Sequence, residues 1–287
     1  MNKTNIRRSP LLIIIALLLV IMAIPVVSYA AQATVNLGST STFAVLAGTT
    51  ITNTGPTVIN GSAGGDVGVY AGSEFTGQSE VTIGGAVHLA DAVAGVAQED
   101  LVAAYNDAAG RTPVTTIPTE LGGTTLKPGV YDSESGTFEI TGTLTLDAEG
   151  DPDGVFIFLT DSTLITKSDS MVNLLNSARF CRIFWQVGTS ATLGTNSHFV
   201  GHIFAMQSIA AQNGATVQGQ LLARNGAVTL DSNTITNGLC ATVSGGELPA
   251  TATPWYSILL IGVSLIVVGG VIWSFSRRNE YDKKNLE

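Results

Sequence analysis

The sequence has little of what catalysis or nucleic-acid binding requires. Its 287 residues include only 3 histidines and 2 cysteines, and 13 lysines and arginines stand against 22 aspartates and glutamates. The imbalance is larger in residues 31–247, which contain 6 basic and 19 acidic side chains. Because nucleic acids and anionic lipids are bound through basic surfaces, the composition argues against both as partners of this region.

The sequence also lacks a recognisable catalytic constellation. It contains neither a Gly-x-Ser-x-Gly elbow nor a phosphate-binding glycine loop. We therefore predict no enzyme activity and no cofactor. His198 and His202, four residues apart in an extended segment, are predicted to face solvent without binding a metal. Residues 147–154 are interpreted as an acidic turn, with a calcium loop as the alternative.

Two long apolar runs are present, one near each end of the chain. Residues 1–30 have a basic start, an apolar stretch and small residues at the end, which predicts a cleaved signal peptide; an uncleaved membrane helix is the alternative. Residues 255–276 carry no charge and are long enough for a transmembrane helix. The tail at 277–287 is basic, and basic tails stay in the cytoplasm. The region between the runs is therefore predicted to lie outside the cell, attached to its surface.

A short linker at residues 241–254 precedes the second apolar run. It contains Leu248-Pro249-Ala250-Thr251-Ala252, and this pentapeptide is followed by an apolar span and a basic tail. The arrangement resembles a sortase sorting signal, although Ala252 stands where the commonest version has glycine. The resemblance implies cleavage after Thr251 by a sortase and attachment to cell-wall peptidoglycan. The alternative is a plain linker before a single-pass anchor.

The two cysteines, Cys181 and Cys240, both lie in the region predicted to be exported. Thiols outside the cell oxidise, so a disulfide is expected between them. It would close a loop of about 60 residues and stabilise the fold by about 3–4 kcal/mol on the chain-entropy model.

Residues 31–240 are predicted to form one all-β domain. Short β-prone runs, such as 138–146, 155–159 and 183–187, alternate with turns rich in glycine, asparagine and aspartate. One exception, residues 89–109, has apolar residues at roughly helical spacing and is predicted to be a single helix. That apolar stripe consists of Leu89, Val93, Val96, Leu101, Ala104 and Tyr105.

An internal repeat with a period of 18 residues predicts how the strands stack. The shift superimposes residue 199 on 217 and 235, residue 201 on 219, 203 on 221, and 205 on 223. Apolar residues coincide with apolar residues, and glycine with glycine. This is typical of a β-solenoid, in which each coil buries its inward side chains against the next coil.

Because side chains alternate along a strand, the residues beside the buried column should point outward. They form three columns: His198, Thr216 and Thr234; Val200, Gln218 and Thr236; and, in the preceding turn, Thr195, Asn213 and Asp231. Such a flat, threonine-rich array suits a repetitive solid or polymer better than a small molecule.

Six sequence blocks, at residues 37–48, 52–55, 126–131, 151–158, 184–188 and 222–230, resemble the DUF3494-type ice-binding proteins. The resemblance implies an irregular right-handed β-solenoid of triangular section with one long helix packed alongside. It also implies adsorption to ice through one flat face of small neutral side chains. Asn213-Gly-Ala-Thr216 comes near the family's T-A/G-x-T/N pattern, whereas the turns at 195–198 and 231–234 depart from it.

We therefore predict a surface-anchored ice-binding protein whose partner is the ice surface. The predicted ice-binding residues are Thr195, His198, Val200, Asn213, Thr216, Gln218, Thr234 and Thr236. A cell-surface adhesin or envelope module that binds polysaccharide or protein, without ice activity, is the alternative. His198, Val200 and Asp231 on the predicted face favour that alternative, because they are bulkier or charged.

Overall fold

The structure is a computed structural model that describes residues 32–240. The predicted signal peptide, sorting signal, transmembrane helix and basic tail lie outside the described residues. Within residues 32–240, no helix has the length and apolar character needed to cross a membrane.

The described chain contains 22 strands, one α-helix and three short 3-10 helices. The strands are β1 (Phe43–Ala47), β2 (Thr50–Thr54), β3 (Thr57–Asn60), β4 (Asp66–Val69), β5 (Glu74–Thr76), β6 (Val81–Ile83), β7 (Val87–Leu89), β8 (Val114–Ile117), β9 (Thr125–Leu126), β10 (Gly129–Ser133), β11 (Phe138–Ile140), β12 (Thr143–Asp147), β13 (Phe156–Thr160), β14 (Leu164–Thr166), β15 (Met171–Leu175), β16 (Ile183–Val187), β17 (Ala191–Leu193), β18 (His198–Ala205), β19 (Ile209–Ala211), β20 (Thr216–Ala223), β21 (Val228–Asp231) and β22 (Thr234–Thr236). The helix α1 spans Ala92–Ala109, and the 3-10 helices span Gly38–Thr42, Gln78–Glu80 and Phe180–Arg182.

Each complete coil contributes one strand to each of three ladders of parallel strands. The candidate face consists of β6, β3, β22, the first halves of β20 and β18, β15, β12 and β9. The helix face consists of β7, β4, β1, the second halves of β20 and β18, β16, β13, β10 and β8. The third face consists of β5, β2, β21, β19, β17, β14 and β11. The predicted solenoid-like stacking is confirmed.

The 18-residue repeat is confirmed by the pairing of β18 with β20. Phe199 pairs with Val217, Gly201 with Gly219 and Ile203 with Leu221, as the shift predicts. Both strands bend from the candidate face onto the helix face at their glycines, where φ is +112° at Gly201 and +147° at Gly219. Only glycine adopts such angles without strain.

The coils do not stack in chain order. Strand β1 pairs with β20 on one side and with β4 on the other, so the N-terminal coils follow the C-terminal coil. Helix α1 then leads along the helix face to β8, which pairs with β10 at the other end of the stack. Because partners so distant in sequence carry no repeat signal, the sequence did not predict this order.

Inward side chains form an apolar column through the centre of the stack. Trp185 lies between Phe158 and Ile203 in the ladder, and its ring stacks on Phe158 with centroids 3.9 Å apart. A second apolar layer lies between the helix face and α1, where Phe204 and Leu222 are packed with Leu101. Burying such side chains is the main stabilising term of the fold, at about 1.5–3 kcal/mol each.

The predicted helix exists, and three residues of its predicted stripe, Leu101, Ala104 and Tyr105, are buried, but its start and the first half of the stripe were wrong. It begins at Ala92 because the side chain of Asp91 caps it, accepting a hydrogen bond of 2.9 Å from the Ala94 amide. Val93 and Val96 are 50% and 52% exposed. The buried stripe is instead rich in alanine, which lets the helix approach the sheet closely; it consists of Ala94, Ala97, Gln98, Leu101, Ala104, Tyr105 and Ala108.

The predicted disulfide is present between Cys181 and Cys240, whose Cα atoms are 5.7 Å apart. It joins the 3-10 turn before β16 to the segment after β22, 59 residues later in the chain. The loop it closes contains β16 to β22 and all eight predicted ice-binding residues.

His202 was predicted to face solvent, and this prediction was wrong. Its side chain is 2% exposed and its ring lies 5.3 Å from that of Phe184. The bend at Gly201 moves the chain onto the helix face, so the alternation that holds for residues 198–200 does not continue to 202.

Candidate functional site

Three stacked turns lead onto the candidate face. Their second residues, Asn196, Gly214 and Ser232, all have positive φ, at +54°, +72° and +52°. Asparagine and glycine tolerate this conformation best, which explains their place in the repeat. The turns hold the predicted residues Thr195 and Asn213 one coil apart.

The turn side chains are tied together by hydrogen bonds. The Asn213 amide donates to Oδ1 of Asp231 at 3.0 Å. The Thr195 hydroxyl donates to the Gln212 side chain at a long 3.5 Å. Asp231 stands where the family pattern has a small neutral residue, and its carboxylate accepts the Asn213 hydrogen bond from the neighbouring coil.

The candidate face presents two rows of outward side chains in strict register. The first row contains Thr82, Val58, Thr234, Thr216, His198, Met171 and Thr143. The second row contains Asn60, Thr236, Gln218 and Val200. Further along the same face, Asn173, Thr145 and Thr125 pair with one another. The structure thus brings together six predicted residues: His198, Val200, Thr216, Gln218, Thr234 and Thr236.

Several of these side chains are fixed by hydrogen bonds between coils. His198 Nδ1 lies 2.8 Å from the Thr216 hydroxyl, and the Thr236 hydroxyl donates to Asn60 Oδ1 at 3.1 Å. Such contacts reduce rotamer freedom, so less conformational entropy is lost when the face binds something. The face is therefore partly preorganised.

The surface between the two rows is not flat. A shallow depression of about 340 Å³ is lined by His198, Phe199, Val200, Thr216, Val217, Gln218, Thr234 and Thr236. Val200 points outward by register but is only 8% exposed, so it forms part of the floor of this depression. The strands pair in register as the repeat predicts, and the side chains of the two rows enclose this depression.

The other coils contribute residues to this face that were not predicted from the sequence. Val58, Asn60 and Thr82 come from the N-terminal coils, and Met171 and Thr143 come from coils before the repeat. No signal in chain order indicates that residue 58 pairs with residue 234. Met171 and Thr143 do occupy outward positions next to buried ones, which alternation could have indicated.

The third face also carries threonine, but it is charged. Thr76, Thr52, Thr229, Ala210 and Thr192 follow one another in register. The same row continues to Glu139, which forms an ion pair of 3.1 Å with Lys167. Neither of the two rows on the candidate face contains aspartate, glutamate, lysine or arginine, although β12 of that face ends in Asp147.

The acidic turn at 147–154 does not gather its carboxylates around one point. Asp147 accepts hydrogen bonds from Asn176 at 2.9 and 3.1 Å, Glu149 pairs with Lys127 at 2.5 Å, and Asp153 pairs with Arg182 at 2.7 Å. Across residues 32–240, no group of three or more histidine, cysteine, aspartate or glutamate side chains is arranged to hold a metal ion. This geometry favours the acidic turn over the calcium loop.

Comparison with known proteins gives one consistent answer. A family model described as Ice-binding-like matches residues 45–236. An ice-binding protein of Nostoc sp. (strain HG1) is 41% identical over 244 residues, which cover 84% of this chain and 87% of the relative.

Solved structures agree with the sequence comparison. The crystal structure of an ice-binding protein from an Antarctic biological consortium has a TM-score of 0.70 and 40% identity, covering 74% of this chain and 95% of its own. The ice-binding protein of the Antarctic ascomycete Antarctomyces psychrotrophicus has a TM-score of 0.67 and 40% identity, covering 71% and 98%. Since the family model matches residues 45–236 and the Nostoc relative is 41% identical over 84% of the chain, the chain belongs to the Ice-binding-like family.

Proposed function

We propose that this protein adsorbs to ice through the candidate face. The observation that carries the proposal is the pair of uncharged outward rows, which are held in register by parallel pairing from β6 to β15. Its relatives from Nostoc, the Antarctic consortium and Antarctomyces are described as ice-binding proteins.

Physical chemistry favours this face over the other two. Parallel strands repeat about every 4.8 Å, so hydroxyl and methyl groups recur along the solenoid axis at a constant spacing. A repetitive array of this kind suits a crystalline solid. Charged groups hold their own hydration water strongly, and the third face carries them while the candidate rows do not. The helix face is covered by α1.

The proposed binding residues are the eight predicted from sequence, together with their neighbours in register. The centre of the face carries the hydroxyl and methyl groups of Thr216, Thr234 and Thr236. The polar side chains of Gln218 and His198 lie beside them. Thr195 and Asn213 form the edge of the face at the turns.

The test replaces outward threonines by tyrosine, whose bulk would lift the face from ice. Thr216→Tyr and Thr234→Tyr should each lower retention of the protein in growing ice and lower thermal hysteresis. Thr192→Tyr and Thr229→Tyr are matched controls, because they place the same bulk on strands of the third face. If the controls lose activity and the candidate-face variants keep it, the third face is the binding surface. A wild-type protein that ice does not retain would support the adhesin alternative.

We also propose that the protein acts while attached to the cell surface. Support comes from the apolar run at 255–276, the basic tail after it, and Leu248-Pro249-Ala250-Thr251-Ala252 before it. On this proposal, a sortase transfers the chain to peptidoglycan, and Pro249→Ala moves it from the cell-wall fraction to the membrane fraction. An unchanged distribution would favour a plain membrane anchor.

The handedness and cross-section of the solenoid, and the segments at its two ends, are also proposals. We infer a right-handed solenoid of triangular section, with a signal peptide before it and a transmembrane helix after it. The three parallel ladders support this, because crossover connections between parallel strands are right-handed in nearly all proteins.

A further inference from the structure

At one end of the solenoid, an aromatic stack ends at a cavity formed by residues of the described chain. At this end Tyr131 of β10 occupies the inward column, paired with Phe158 of β13 on one side and Thr115 of β8 on the other. The Tyr131 and Phe158 rings stack at 5.6 Å with a 24° angle, and Phe158 continues onto Trp185. Thr115 has no ring, so the stack ends at Tyr131.

A cavity of about 480 Å³ lies where the stack ends, and Tyr131 and Thr115 both line it. Its apolar lining includes Val130, Val155 and Pro113. Both valines are almost fully buried. This volume lies within the range of about 300–1,000 Å³ that is usual for small-ligand sites.

The rim of the cavity is polar and carries both signs of charge. Lys127 and Glu149 form an ion pair of 2.5 Å, and Asp151 and the Gln32 amide complete the rim. The rim has one lysine against two carboxylates, so it is weakly acidic, which disfavours anionic ligands and leaves hydrogen-bond donors and acceptors for a neutral one. The Tyr131 hydroxyl donates to the Lys127 carbonyl at 2.7 Å, which fixes the ring at the cavity wall.

We propose that this cavity binds a pyranose ring of a neutral glycan. A pyranose has an apolar face that stacks on an aromatic ring, and a circle of hydroxyls that hydrogen-bond to carboxylates, amides and ammonium groups. Tyr131 supplies the ring, and Glu149, Asp151 and Lys127 supply the polar partners. The site lies at the solenoid end, where Lys127 and Ala148 follow β9 and β12 of the candidate face; none of its lining residues belongs to the outward rows, so sugar binding and ice binding can be tested separately.

The experiment measures sugar binding to the full chain in a detergent without a sugar headgroup, such as a dimethylamine oxide. Saturation-transfer NMR with cellobiose, maltose and N,N′-diacetylchitobiose at millimolar concentration should detect at least one of them. Tyr131→Leu should weaken binding about tenfold, because the stacking surface is lost. Tyr131→Phe keeps the ring and should retain the affinity.

A second variant distinguishes loss of sugar binding from loss of folding. Glu149→Gln combined with Asp151→Asn alters only exposed carboxylates, and it should weaken binding several-fold while the far-ultraviolet circular dichroism is unchanged. Thr216→Tyr on the candidate face should leave sugar binding intact. The proposal is overturned if the folded wild type shows no transfer from any of the three sugars. It is also overturned if Tyr131→Leu binds as well as wild type, or if Thr216→Tyr abolishes binding.

Discussion

Acidification should destabilise this protein through one buried side chain, His202. Its imidazole is 2% exposed and lies among the rings of Phe184 and Phe180, at 5.3 and 6.3 Å between centroids. Burial lowers the pKa of His202 from 6.5 to about 4. Gln220 lies close enough to offset part of this lowering, yet neither ring nitrogen has a hydrogen bond of ordinary geometry.

The size of the effect follows from the difference in pKa between the two states. In the unfolded chain the imidazole titrates near 6.5, and in the folded protein near 4. Above the pKa of the unfolded state, His202 is neutral in both states and does not reduce the free energy of unfolding. As the pH falls from about 6.5 to about 4, only the unfolded state takes up the proton, and the free energy of unfolding falls by about 3 kcal/mol.

The assay compares urea unfolding of wild type and His202→Gln at pH about 7.5 and about 4. The variant cannot titrate at this position, so its loss of stability on acidification should be smaller by about 3 kcal/mol. Carboxylates contribute equally to both proteins and cancel in the difference. His198→Gln is the matched control, because it makes the same replacement at an exposed histidine and so tests whether the effect requires the buried ring.

Equal acid losses in wild type and His202→Gln would refute the reasoning. They would mean that His202 is hydrated in solution or that its neighbours move to hydrogen-bond the protonated ring.

Three further substitutions test the solenoid itself by urea unfolding. Gly219→Ala should lower the free energy of unfolding by about 1–3 kcal/mol, because φ is +147° and the new Cβ would lie 2.0 Å from the Gly201 carbonyl oxygen. Gly123→Ala is its control and should lower the free energy of unfolding less, because Gly123 also has a positive φ but has open space around it. Cys240→Ser should lower the free energy of unfolding by about 3–4 kcal/mol, and a reducing agent should do the same to wild type but not to the variant. Phe158→Ala should cost about 3–5 kcal/mol because it leaves a cavity in the buried aromatic stack, whereas Leu175→Ala, 45% exposed, should cost little.

The sequence predicted the middle of the solenoid well because its coils stack on sequence neighbours. Phe199, Val217 and Ile235 meet in space at the interval at which they recur in the chain. The alternation of strand side chains then assigned Thr216 and Thr234 to the surface. Both predictions needed only local geometry.

The rest depended on tertiary contacts that leave no periodic signal. The pairing of Val58 with Thr234 joins opposite ends of the described chain, so the width of the candidate face could not be predicted. The burial of His202 follows from a bend at Gly201, which alternation does not foresee. Half of the helix stripe was misassigned because alanine is a weak hydrophobic signal even where it is fully buried, as at Ala97 and Ala108.

The interleaved order of the coils has a consequence for how the protein folds. Buried Gln220 donates hydrogen bonds of 2.6 Å to the carbonyls of Thr40 and Phe43, 180 and 177 residues away in the chain. Because the chain is synthesised from its N-terminus, β1 to β3 are made well before their partners β20 to β22. Because loop closure over such distances slows folding, we expect the first coils to remain incompletely paired, and exposed to aggregation and proteolysis, until the last coils are made.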